Sequence, residues 1–151
     1  MRRVVVLALI ASSGALLYSL PSATAATRAT GTLIKVFKTS KFGKILVNRR
    51  GFTLYAYSKD TRNKDACQDF PGCLGLWPAV TTKGKPVAGR GVKQSLLGTI
   101  KLKSGKRQVT YNGHPLYSYI GDSSPHQTSY INQFQSGGKW PAVSPSGRLV
   151  K

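Results

Sequence analysis

Glutamate is missing from this chain, and acid of any kind is scarce. Four aspartates, Asp60, Asp65, Asp69 and Asp122, stand against 23 Lys and Arg, a formal net charge of +19 in 151 residues. Paired carboxylates for glycoside chemistry would therefore have to be drawn from aspartates alone, Asp60 and Asp122 being the candidate pair. Imidazole is equally sparse: His114 lies in a turn and His126 in a Ser/Pro loop, so both are expected to be exposed and ordinary. No G-x-S-x-G, H-E-x-x-H or phosphate-cradling glycine loop occurs. "SGGK" at 136–139 fits S-x-x-K by letter only, because that nucleophile pair sits on a helix and two glycines make a loop. No cofactor is expected on these grounds.

Cysteine appears twice, Cys67 and Cys73 in "CQDFPGC". The first 25 residues have the form of a secretory signal: Arg2 and Arg3, an apolar run from Val4 to Leu20, and the small-residue site Ala23-Thr24-Ala25. An uncleaved membrane anchor is the alternative for that run; no second stretch of its length follows, so no transmembrane segment is expected once the signal is removed. Outside the cytosol, two cysteines flanking Pro71 and Gly72 read as a local disulfide. A two-ligand metal site or a redox pair is the alternative, although zinc sites use four ligands and redox pairs read C-x-x-C.

What is abundant is internal similarity. "GFTLYAYSKD" at 51–60 returns as "GHPLYSYIGD" at 113–122, the two sharing Gly51/Gly113, Leu54/Leu116, Tyr55/Tyr117, Tyr57/Tyr119 and Asp60/Asp122, with Val47/Val109 upstream. "WPAV" at 77–80 returns at 140–143. The chain therefore reads as a duplication. A signal peptide at 1–25 and linker at 26–30 precede the first β repeat at 31–89, a connector at 90–97 and the second β repeat at 98–151, both repeats in one domain.

Within each repeat the pattern is β. "LIKVFK" alternates apolar and basic, "KILVN" and "RQVTY" are rich in β-branched residues, and "FTLYAYS" and "PLYSYI" are aromatic strands. Asn112-Gly113 suits a type I′ hairpin turn, and Arg50-Gly51 holds the matching place. The fold class is all-β: two pseudo-symmetric meanders, each followed by a long loop and a short strand at Trp-Pro-Ala-Val. The one helix-compatible piece is "GVKQSLLG" in the connector. Pro115 is expected to place its strand at an edge.

Period two puts Tyr55 with Tyr57, and Tyr117 with Tyr119, on one face of their strands, with Leu54 and Ala56 on the other. Asp60 and Asp122 fall at the strand ends, where a carboxylate accepts backbone N–H bonds and closes a turn. The tyrosines, with Trp77 and Trp140, either line a groove for a flat ligand or form the core, the core being favoured in a chain with few Phe and Leu.

The spacing Y-x-Y-x-x-D after G-x-x-L, the cysteine loop leading to "WP", and the closing "GGKWPAVSPSG" resemble the secreted bacterial repeat proteins and predicted lipoproteins marked by a Y-x-[FWY]-x-x-D motif. That resemblance implies an exported tandem-repeat β protein and brings no established activity with it. Two departures stand out. No cysteine near the cleavage site is available for a lipid anchor, and "SSPHQTSYINQF" lacks the glycines usual after the motif.

The expected function is a secreted or extracytoplasmic bacterial module, in periplasm or cell envelope, without catalysis. Its basic surface suits anionic envelope polymer or lipid head groups. The cations are spread along the chain, which argues against a specific nucleic-acid site. The alternatives are a small hydrolase using Asp60 and Asp122, or a metal or redox-cofactor carrier.

Overall fold

Lysine alternating with apolar residues in β1 (Leu33–Lys38) buries Ile34 and leaves Lys35 and Lys38 exposed. β1 pairs antiparallel with β2 (Lys44–Asn48) in a computed structural model that describes residues 30–150. The signal peptide expected at 1–25 and linker residues 26–29 lie outside the described residues. After β2 come a 3-10 turn (Cys67–Asp69) and α1 (Cys73–Leu76), then β3 (Val87–Ala88), which runs parallel to β1 and completes a sheet of order β2-β1-β3. The second copy gives β4 (Leu97–Lys101), β5 (Arg107–Tyr111) and β6 (His114–Pro115), a meander of order β4-β5-β6, followed by a small hairpin of β7 (Phe134–Gln135) and β8 (Gly138–Lys139). The chain is all-β and built from two tandem repeats.

Helix forms in a place the sequence pattern did not single out. "GVKQSLLG" contributes only a 3-10 turn, Gln94–Leu96, whereas α1 and another 3-10 turn lie in the cysteine loop. The Cys67–Cys73 disulfide holds Cα atoms 5.3 Å apart, and Gly72, at φ 74°, reverses the chain into α1. A staple that short forces a tight turn regardless of propensity.

The two hairpins differ in a way that shifts the repeat alignment. Asn112 (φ 50°) and Gly113 (φ 82°) make the expected two-residue type I′ turn. In the first copy only Gly51 (φ 91°) is left-handed, and the loop Arg49-Arg50-Gly51 has three residues closed by Asn48 N–H donating to Phe52 O at 2.9 Å and Gly51 N–H to Asn48 O at 3.0 Å. Arg50-Gly51 is thus not the counterpart of Asn112-Gly113, and Val47 is not the counterpart of Val109. Leu46 and Val109 are equivalent: Leu46 N–H donates to Val143 O (2.8 Å) and Val109 N–H to Val80 O (2.7 Å).

Those two bonds reveal the connectivity. The Trp-Pro-Ala-Val strand of each copy adds to the meander of the other. Ala142 bridges to Tyr55 and Ala79 to Tyr117, while Ala56 N–H donates to Pro141 O (2.9 Å) and Ser118 N–H to Pro78 O (3.0 Å). The motif segments are not long regular strands but extended backbone held by isolated bridges. The stretch after Pro115 is no edge, since Tyr117 bridges both Tyr55 and Ala79. Pro115 sits at the opening of its strand, where a missing N–H is tolerated.

The period-two reading of the motif governs the core. Tyr55, Tyr57 and Tyr117 enter one buried cluster with Trp77 and Trp140, while Leu54, Ala56 and Leu116 enter a second with Ile34, Leu46 and Val109.

Candidate functional site

The two motifs meet at a pseudo-two-fold axis. Tyr55 and Tyr117 each donate their N–H to the other's carbonyl at 2.9 Å, which brings both rings into the interior. On that axis Trp77 and Trp140 lie face to face, ring centroids 3.9 Å apart and planes at 2°. Each indole is flanked by the opposite copy: Tyr57 stacks on Trp140 at 4.4 Å and Tyr119 on Trp77 at 4.2 Å. Tyr55 meets Trp77 edge-on at 5.2 Å and Tyr117 meets Trp140 edge-on at 5.2 Å. Tyr130 lies against Tyr119 at 4.2 Å and extends the row. A parallel sandwich is not the preferred arrangement of two isolated rings, so it is the backbone pairing around the axis that sets it. Both indole N–H groups bond to Gln135, Trp77 to its Oε1 and Trp140 to its carbonyl, each at 2.9 Å.

The aspartates complete the exchange between copies. Tyr117 Oη donates to Asp60 Oδ2 at 2.9 Å, and Tyr55 Oη donates to Asp122 at 3.1 Å. Asp60 also accepts the Ala66 N–H at 2.8 Å, closing the loop that follows it, as the sequence suggested for an aspartate there. Asp122 has only the tyrosine among its described side-chain partners. Burial pushes the Asp60 carboxyl up to about 7; bonds from Ala66 and Tyr117 oppose the shift and neighbouring Asp65 adds to it. Burial likewise raises Asp122 to about 6, against the pull of the Tyr55 hydroxyl. Both phenols are raised, first by burial and then by the carboxylate charge beside them.

Tyr55, Tyr57, Asp60, Tyr117, Tyr119, Asp122, Trp77 and Trp140 are thus brought together, with the rings packed on one another; both indoles are fully buried, and no groove runs between them. The disulfide-bonded Cys67 and Cys73 lie in the same cluster. The histidines stand apart. His126 is exposed and stacks on Phe37 at 3.8 Å, whereas His114 is half-buried in β6, a correction to its expected exposure; burial, then the Arg62 charge, lowers its pKa. Two further parts of the site were not anticipated. Gln135 has no neighbouring sequence signal. The loop after Asp122, despite lacking glycines, folds back on the first hairpin: His126 N–H donates to Gly51 O and Thr53 Oγ1 to Gln127 O. Gly51 takes a positive φ that favours glycine, and a Cβ there would lie 2.9 Å from His126 Nε2, so a side chain would also have to displace that ring.

Outside this core the surface is cationic. In the registers of the two antiparallel hairpins, Lys38 stands opposite Lys44, and Lys101 opposite Arg107. The single ion pair among the described residues is Lys103 with Asp69.

No curated protein and no solved structure matches the chain. A family model described as a secreted repeat of unknown function matches it twice, over residues 36–81 and 98–144, more than half of its length and one match for each structural copy. With two such segments in series, the chain belongs to that family of secreted repeats.

Proposed function

We propose that this protein is a non-catalytic module of the bacterial cell envelope or its surroundings, held by charge on anionic polymer. The observation that carries the reading is the distribution of its carboxylates. Asp60 and Asp122 give their oxygens to buried tyrosines, Asp65 is fully buried, and only Asp69 reaches an exposed cation. Apart from Lys103, the surface lysines and arginines among the described residues have no acidic partner, so their field is available to a polyanion outside the protein. The core, in turn, is committed to joining the two copies.

The test is retention of the mature protein on purified anionic envelope polymer across a sodium chloride gradient, with anionic vesicles as a parallel arm. The screening length shrinks from about 8 Å at physiological salt to about 3 Å at 1 M, so bound protein is expected to elute well before 1 M. Retention unchanged at 1 M, or no retention at low salt on either material, overturns the reading.

A further inference from the structure

We propose that the duplication builds two equivalent phosphate-binding clefts, one at each β-hairpin tip, and that the ligand is a linear phosphate-bearing polymer engaging both. This deepens the polyanion reading above and rests on it.

The first cleft, about 480 Å³, is lined by Lys35, Lys38, Lys44 and Arg90 with Val36 and Pro145 beneath. The second, about 660 Å³, is lined by Lys83, Lys106 and Arg107 with Thr32, Thr81 and Thr82. Their positions correspond: each lies between the hairpin of one copy and the residues just after the Trp-Pro-Ala-Val strand of the other, Pro145 in one case and Thr82 in the other. Neither lining contains a carboxylate. Both tips point outward, since a Cβ on Gly43 or Gly105 would meet nothing within 4 Å.

The paired cations are the second observation. Like charges directly opposite on neighbouring strands destabilise a ladder. Lys38 against Lys44 and Lys101 against Arg107 place that cost at the same register of both copies. The residues around them have diverged, as Ile45 and Val47 stand where the second copy has Gln108 and Thr110. A phosphate seated between Lys38 and Lys44 converts the repulsion into attraction; in the second cleft Arg107, with Lys83 and Lys106 beside it, supplies the cationic donors, Lys101 standing outside the lining. A domain of this size has a radius of gyration of about 13–14 Å, so a long phosphate chain exceeds the dimensions of the domain and has the length to reach from one tip to the other.

Three charge-matched double variants of the mature protein decide it: K38Q/K44Q in the first cleft, K106Q/R107Q in the second, and K59Q/K139Q away from both. The probes are tripolyphosphate, long-chain inorganic polyphosphate and anionic phospholipid vesicles. Wild type is expected to bind two tripolyphosphates, and to bind the long chain about a hundredfold more tightly because the second contact is intramolecular. Either cleft variant is expected to bind one tripolyphosphate and to lose about tenfold or more on the long chain, while K59Q/K139Q loses less than about threefold. The ligand-free K38Q/K44Q protein is expected to melt no lower than wild type, because relieving a like-charge pair does not weaken the fold.

Equal losses in all three variants overturn the clefts while leaving the polyanion reading intact, because a uniform field would then do the binding. Binding to vesicles but not to polyphosphate overturns the polymer as ligand. No binding of any probe by wild type at low salt overturns the clefts and the reading together.

Discussion

Tyr55 and Tyr117 exchange both backbone hydrogen bonds, each N–H donating to the other's carbonyl at 2.9 Å. The pair lies where the two copies cross, with the Trp-Pro-Ala-Val strand of each added to the meander of the other. Neither copy therefore closes its own sheet. Residues 30–89 and 90–151, produced separately, are each expected to lack cooperative unfolding, and their equimolar mixture is expected to regain the near-ultraviolet circular dichroism of the intact chain. A sigmoidal thermal transition in either half alone would contradict the exchange.

The stacked indoles supply a second prediction. Trp77 and Trp140 are fully buried and equivalent by the pseudo-symmetry. Replacing either by Ala should cost about 3–5 kcal/mol in denaturant unfolding. Because the two rings share one stack, the double variant should cost less than the sum of the singles. Two parallel chromophores in contact also couple optically, so W77F or W140F should each abolish the exciton feature in circular dichroism.

The tyrosine–aspartate bonds predict an unusual pH dependence. Burial holds both carboxyls above the ordinary aspartate range in the folded state, at about 7 for Asp60 and about 6 for Asp122. The folded protein then holds more protons than the unfolded chain between about pH 4 and 7, so these groups make stability fall as pH rises through that window. His114, whose pKa is lowered, acts in the opposite sense by favouring the unfolded state as pH drops below the usual histidine value. In an H114N background, the melting temperature is expected to decrease from pH 5 to pH 8, and D60N/D122N is expected to flatten the curve. A melting temperature that rises with pH in H114N would refute the assignment.

Removing the phenol instead of the carboxylate gives a third test of the same contact. Y117F leaves Asp60 without its side-chain donor, and Y55F does the same to Asp122. Each should cost about 1–3 kcal/mol at pH 8, the range for a buried polar group left unpaired, and less at pH 5, where the carboxyls are protonated. Denaturant titrations at the two pH values check the difference.

The disulfide closes a loop with a sequence separation of only 6. Loop-entropy reasoning gives about 2 kcal/mol for so small a ring. Cys67→Ser with Cys73→Ser is expected to lower stability by that order while keeping the two-copy fold, because the Tyr, Trp and Asp contacts lie outside the ring. Loss of all cooperative unfolding would assign the staple a larger role.

Several parts of the architecture were legible because they are local. The type I′ turn follows from Asn112-Gly113, whose residues accept positive φ. The sorting of Tyr55 and Tyr57 from Leu54 and Ala56 follows from the period of a strand. The same local reading aligns Val47 with Val109, and the structure differs: a third loop residue at Arg49-Arg50-Gly51 moves the register by one, so identity in sequence ceases to mean equivalence in space. The closing role of Asp60 was visible, but its bond to Tyr117 was not, because that contact spans the two copies.

By itself, the sequence determined the duplication, the β character, the cationic excess and the cysteine ring, each written in residue types and short spacings. Tertiary structure alone decided which copy serves which. Each repeat offers the same Trp, the same Tyr pair and the same Asp, so pairing within a copy and pairing between copies use identical local chemistry. The choice falls to chain geometry, which carries each Trp-Pro-Ala-Val strand across the axis to the other meander and fixes the indole stack, the reciprocal tyrosine–aspartate bonds and the two cationic tips.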